Sequence, residues 1–172
     1  TLLGLISGRL KPDRGRVLLD GVNTARILPW QRERIAPLFG NVAQEHTLIR
    51  KMTVEENLLL AARVGRRRFE SEKEMKERLK KVLGLVGFSG MERRYPVEMS
   101  VGEYRCVELA RALINSPPIL VLDEITANLD AETEARVLAA LRRASAGRTV
   151  LSVSHRVYEN LGGRTIEIRT QE

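Results

Sequence analysis

Residues 119–130 read ILVLDEITANLD, and the first six of them decide the fold. Ile119–Leu122 is a short, unbroken apolar run, and Asp123 and Glu124 close it. Such a run suits a central parallel strand buried on both faces. In open parallel sheets ligands collect at the carboxyl edge, where these two carboxylates emerge. Adjacent residues of an extended strand point to opposite sides, so Asp123 and Glu124 are expected to play different roles. Magnesium keeps several waters and needs one or two protein carboxylates beside phosphates, which suits Asp123. Glu124 is placed to polarise an attacking water. The plainer alternative is that both carboxylates cap the following turn.

Working outward, Asp130 stands as N-cap of a helix over Asp130–Arg143, with Glu132 and Glu134 in its first turns. TVLSVSH at 149–155 reads as the next buried strand, delivering His155 past its end toward a phosphate oxygen. A lone histidine there is usually structural or incidental. TIEIRT at 165–170 reads as a last, more exposed strand. Upstream, Pro117-Pro118 stops a helix that runs through Leu113 and opens at Ser100-Val101-Gly102. Free N–H groups, the positive dipole end and the Ser100 hydroxyl make that helix start an anion site, with a plain N-cap serine as the alternative.

Further upstream the texture is helical. Thr53 with Glu56, and Ser71 with Glu74, form capping boxes. Met75, Leu79, Val82, Leu83 and Val86 follow at helical spacing and read as core. IAPLFGNVAQ at 35–44 reads as a strand that delivers Gln44 to a site, where its amide reaches metal or water, or simply faces solvent. Asp20-Gly21 after RVLL is a hairpin signal. Thr1–Ser7 has the pattern of an amphipathic helix, closed by Gly8. The order gives an α/β core at 1–44 and 116–172 with a helical block at 45–115 between its halves, all within one domain over 1–172.

The 172 residues are 43% hydrophobic and 30% charged, which excludes a disordered chain and suffices for a real core. No apolar run reaches the roughly 20 residues of a membrane span. The single cysteine, Cys106, forms no internal disulfide alone and points to a reducing cytoplasm. The formal charge is +7, concentrated at Arg63–Arg68 and Arg93–Arg94. With one Trp, three Tyr and three Phe there is no aromatic stacking platform beside these clusters. A solvated basic face is the expectation, and no specific nucleic acid.

The order of these motifs resembles the nucleotide-binding subunit of ABC transporters over essentially the whole chain. TLLGLISGRLKPDRGRVLLDG is similar to the helix and turn that come after the family's phosphate-binding loop. NVAQEHTLIRKMTVEENL resembles its Q-loop and helical subdomain, and YPVEMSVGE its signature. ILVLDE resembles its Walker B strand, ANLD its D-loop and SVSH its switch histidine. SVGE and TANLD look most like the branch serving lipoprotein release and macrolide or peptide export.

The resemblance implies a P-loop NTPase-like, mostly parallel sheet flanked by helices, with ATP and Mg²⁺ as ligands. It implies that Gln44 senses metal and γ-phosphate and couples to the membrane subunit. Ser100 and Gly102 would grip the γ-phosphate of ATP held by an opposite subunit. Asp123 would support Mg²⁺, Glu124 would be the catalytic base, Asp130 would communicate across the dimer, and His155 would contact the γ-phosphate. The implied partners are a second ATP-binding subunit and a transmembrane permease, at the cytoplasmic face of the membrane.

The sequence also departs from the family pattern. The phosphate loop, the first core strand and the aromatic that stacks on adenine would lie upstream of Thr1. The chain alone is therefore expected to bind ATP very weakly, and restoring the loop is expected to give Mg-dependent hydrolysis. Val101 replaces a glycine, Ile125 a proline and Ala43 an aromatic. Tyr104-Arg105-Cys106 replaces Gln-Gln-Arg, which is expected to remove polar contacts at that helix start. A non-hydrolytic, signature-donating partner subunit is the alternative function. An ABC-type ATPase of DNA repair or chromosome structure has less support, because the helical block carries no sustained heptads.

Overall fold

The computed structural model of the chain describes residues 2–8, 10–19, 21–24, 36–64, 70–154, 163, 164 and 166. His155, most of the basic run 63–68 and nearly all of 165–170 lie outside the described residues, and with them the expected last strand.

The chain opens with helix α1 (Leu2–Ile6) and a hairpin of β1 (Leu18–Leu19) and β2 (Val22–Asn23). Leu19 pairs with Val22, the register that the Asp20-Gly21 signal calls for, and Gly21 has φ +79°. That left-handed backbone is why the turn needs glycine.

Strand β3 (Phe39–Val42) is shorter than the expected 35–44. A single 3₁₀ turn, Ala36–Leu38, precedes it, and Pro37 in that turn has no N–H to give a ladder. Three helices then follow: α2 (Val54–Val64), α3 (Glu72–Val86) and α4 (Val101–Leu113). Both capping boxes form: Thr53 N donates to Glu56 Oε2 at 2.7 Å, and Ser71 N to Glu74 Oε2 at 2.7 Å. Gly87 ends α3 in the left-handed conformation. All five residues of the expected α3 stripe are buried.

Strand β4 (Ile119–Asp123) is central, parallel to β3 on one side and to β5 (Thr149–Val153) on the other. Helix α5 (Ala131–Ser145) connects β4 to β5. Leu120, Val121 and Leu122 are buried, as a strand covered on both faces requires. One hydrophobic cluster joins β3 and β4 to α2, α3, α4 and α5. Gly40 lets the end of α4 sit on the sheet, since a Cβ there would lie 2.6 Å from Ala112 O and 2.8 Å from the Leu120 side chain.

Strand β5 corrects the sequence reading. It is not buried: Thr149, Ser152 and Val153 are exposed, and Val150 and Leu151 are only half-buried. Among the described residues it is the outer strand, with β4 as its one partner. Its apolar composition reports β-propensity rather than burial.

Candidate functional site

The carboxyl edge of the parallel sheet is the candidate site. Val42 lies opposite Leu122, and Asp123 opposite Val153, so the three strands end at one level. Gln44 and Glu124 leave the edge together, and Gln44 Nε2 donates to Glu124 Oε2 at 3.0 Å. These two are 80 positions apart in sequence. Only the parallel pairing of β3 with β4 brings them together.

Asp123 and Glu124 differ in backbone conformation. The strand ends at Asp123, and Glu124 has φ +47°, a left-handed conformation that costs a non-glycine residue about 1 kcal/mol or more. Two backbone bonds hold it there: Glu124 N donates to Val153 O at 2.9 Å, and Ala127 N donates to Glu124 O at 3.0 Å. The left-handed turn takes Glu124 out of the strand's alternation. Both are half-buried. Two adjacent carboxylates and a neutral amide form an oxygen donor set of the hard kind that magnesium takes beside phosphate oxygens. Among the described residues no group of three His, Cys, Asp or Glu side chains that could hold a metal ion forms.

A second group of candidate residues gathers where α4 meets α5. Ser100 is the N-cap of α4, donating its N–H to Glu103 Oε2 at 2.8 Å and accepting from Glu103 N at 3.3 Å. Burial acts to raise the Glu103 carboxyl, but the Ser100 N–H and Arg94, whose Nη1 lies 3.0 Å away, together hold it below the usual range. Val101 is exposed on the first turn. Gly102 is buried against α5: a Cβ on it would lie 2.0 Å from Thr133 Cγ2. Asp130 caps α5, accepting from Thr133 N at 3.0 Å. Gln44 with Glu124, and Ser100 with Gly102 and Asp130, are thus held by different element pairs. His155 follows β5 in sequence but lies outside the described residues.

The hydrogen bonds from Thr133 hold the Asp130 carboxyl below its ordinary 3.8. A carboxyl whose folded pKa is depressed stabilises the fold above its unfolded pKa and loses that contribution as pH falls through the folded value. Asp130→Asn keeps the cap without the charge. The stability difference between wild type and this variant is expected to be constant above about pH 5 and to shrink steadily below about 4. Thermal melts across that range check it, and a gap independent of pH would refute the assignment.

The expected loss of polar contacts at Tyr104-Arg105-Cys106 is overturned. Arg105 Nη1 donates to Ala43 O at 2.9 Å and Nη2 to Gln44 O at 2.6 Å, while Tyr104 OH accepts from Leu48 N at 2.9 Å. These side chains pair the backbone of the segment that carries Gln44. Burial raises the Tyr104 hydroxyl and pushes the Cys106 thiol up to about 11, so Cys106 is an inert core group at neutral pH. Arg105 and Glu108 are functional candidates that the residue pattern did not single out. The available signal was a cation and an anion at i, i+3 among Cys106, Val107, Leu109 and Ala110, a stretch too apolar to be a solvated face.

A family profile described as "ABC transporter" matches residues 1–127. The spermidine/putrescine import ATP-binding protein PotA of Protochlamydia amoebophila is 36% identical over 157 residues, 90% of this chain and 40% of that protein. The molybdate/tungstate import ATP-binding protein WtpC of Pyrococcus abyssi is 33% identical, over 95% of this chain and 46% of its own length. The chain therefore spans about half the length of these relatives or less. The cell division ATP-binding protein FtsE of Streptococcus pneumoniae is 32% identical over 171 residues, 98% of this chain and 73% of that protein. Among solved structures, the ATP-binding cassette MJ0796, a dimer in a post-hydrolysis state bound to ADP and Pi, superposes with a TM-score of 0.79 at 29% identity. The match covers 93% of this chain and 70% of that one. The α/β architecture with its parallel sheet is the cassette fold, and the chain belongs to the ABC transporter family.

Proposed function

We propose that this chain is the ATP-binding, ATP-hydrolysing part of an energy-coupling subunit of an ABC transporter. The carrying observation is the Gln44–Glu124 hydrogen bond of 3.0 Å at the carboxyl edge of the sheet. It joins a carboxylate able to accept a proton from water to an amide on a separate segment, so that a change at one is felt at the other. Glu124 is assigned as the base, in the left-handed turn that ends β4. Asp123 and Gln44 would hold Mg²⁺, which when bound offsets phosphate charge. His155, following β5, is assigned to the γ-phosphate. Ser100 and Gly102 are assigned to a nucleotide on a second cassette, and Asp130 to contact across that interface. The dimeric state of the MJ0796 cassette supports this pairing. The same proposal takes 1–172 as one ATPase domain, with 45–115 as its helical subdomain.

A transmembrane permease is the implied partner, because PotA and WtpC are named as ATP-binding proteins of import systems. The proposed location is the inner face of the cell membrane. SVGE and TANLD suggest the lipoprotein-release or macrolide-export branch, whereas PotA and WtpC carry import names. A second reading, an ATPase serving cell division, is favoured by the likeness to FtsE, whose length the chain covers most fully of these relatives.

The test is phosphate release from ATP by the full-length protein, with and without magnesium. Magnesium-dependent turnover is expected. Nucleotide binding without turnover would establish the non-hydrolytic, signature-donating alternative instead.

A further inference from the structure

The segment from Ala43 to Leu48 has no regular secondary structure, yet several of its backbone groups are paired by a single helix face. Arg105 holds the carbonyls of Ala43 and Gln44. Glu108 Oε1 accepts from Thr47 N at 2.8 Å and from Thr47 Oγ1 at 2.9 Å. Arg111 Nη1 donates to Thr47 O at 2.7 Å, and Tyr104 OH accepts from Leu48 N. At the centre, Arg105 Nη1 and Glu108 Oε2 form an ion pair of 2.8 Å whose side chains are 5% and 1% exposed.

Such a buried pair is a poor way to stabilise a fold. Desolvating two ions costs about what their attraction returns, and well-packed apolar residues often do as well or better. Here Arg105 Nε is also buried without a hydrogen-bond partner. What the pair does supply is geometry. A guanidinium fork binding two successive carbonyls fixes the peptide between them, a constraint that a point-charge lysine does not reproduce.

We infer that Arg105, oriented by Glu108, is a positioning residue that holds the Gln44 peptide so that its side-chain amide meets Glu124. Arg105 lies on α4, five positions after Ser100. The same helix that opens at Ser100 and Gly102 therefore carries the anchor for Gln44. A rotation of α4 is transmitted to the Gln44–Glu124 contact through two hydrogen bonds. This inference rests on the reading of Glu124 as the base, and its test separates the two.

Two variants of the full-length protein suffice. Arg105→Lys keeps the charge and loses the fork. The double variant Arg105→Met with Glu108→Leu removes the ion pair together with its bonds to the Ala43, Gln44 and Thr47 groups, and is expected to fold with a lower melting temperature than wild type, so it is assayed well below its transition. Both are expected to lower kcat about tenfold, with KM for ATP within about twofold of wild type. A merely structural role would instead track the melting temperature. In parallel, NMR reads the chemical shift of the exposed Gln44 side-chain amide, which meets Glu124, and hydrogen exchange at the buried Leu48 N–H, whose acceptor Tyr104 is untouched. A Gln44 amide shift moved toward that of free glutamine, with Leu48 exchange about tenfold faster, is expected in the double variant. Wild-type kcat in the well-folded double variant, or an unchanged Gln44 shift with unchanged Leu48 exchange, overturns the positioning role. If the wild-type protein shows no turnover, the reading of Glu124 falls, and the NMR measurements still decide whether Arg105 positions Gln44.

Discussion

Glu124→Gln is expected to lower ATP turnover by the full-length protein by a factor of roughly 10²–10⁴, the range carried by a general base. Glutamine is nearly isosteric and still offers an amide oxygen, so the bond from Gln44 Nε2, 3.0 Å long with the native carboxylate, survives the change. The backbone bonds that hold position 124 at φ +47° involve main-chain atoms only and are untouched. What disappears is the ability to accept a proton. The loss should therefore fall on kcat, with KM for ATP and the melting temperature close to wild type. Aspartate at 124 adds a control, since it keeps the basicity and retracts the carboxylate by one methylene. Turnover of Glu124→Gln equal to wild type would remove Glu124 from the role of base, whatever else the sheet edge does.

Gly102→Ala is expected to be the most damaging single methyl on the described helices. The new Cβ would stand 2.0 Å from Thr133 Cγ2, a separation no real pair of carbons holds, so α4 and α5 must part or Thr133 must change rotamer. Overpacking of this kind costs about 1–3 kcal/mol. For a chain of this size that lowers the melting temperature by roughly 2–12 °C. The offending atom is a single methyl group. Thr133→Ser removes it, and the next nearest atoms, Thr133 Cβ and Oγ1, are 3.4 and 3.8 Å from the position of the new methyl, ordinary contact distances. Gly102→Ala with Thr133→Ser should regain most of the lost stability, so the two changes are strongly non-additive in a double-mutant cycle. Strict additivity would show that Gly102 is needed for something other than the close approach of α5. The same cycle bears on function, because Ser100 caps the helix that would be displaced.

Elements governed by contacts within one turn of chain were legible in the sequence. The Ser71–Glu74 and Thr53–Glu56 boxes, the Asp130 cap, the β1–β2 hairpin register and the α3 core stripe depend on residues one to four positions apart. The hydrophobic run of β4 was legible for a related reason: a strand covered on both faces leaves no polar alternation to misread. Strand β5 has a similar composition but lies at the outside of the described sheet, and nothing in its own residues says how many neighbours it has. Glu124 could be named as a candidate, but its left-handed backbone is imposed by Val153 and Ala127, not by glutamate's own preference.

By itself, then, the sequence determined the α/β class and the family, and it offered a set of candidate side chains for handling a nucleotide. These come from local periodicity, from capping chemistry and from the order of short motifs. The tertiary structure alone decided which of those side chains meet. Gln44 reaches Glu124 through the pairing of β3 with β4, and Gly102 is forced by the approach of α5. Arg105, by local pattern a departure that should weaken its helix start, is the buried clamp on the Gln44 segment. The physical reason is common to all three. A side chain's partner across 31 to 80 positions is set by the packing of whole elements, and that information resides in no window of sequence around it.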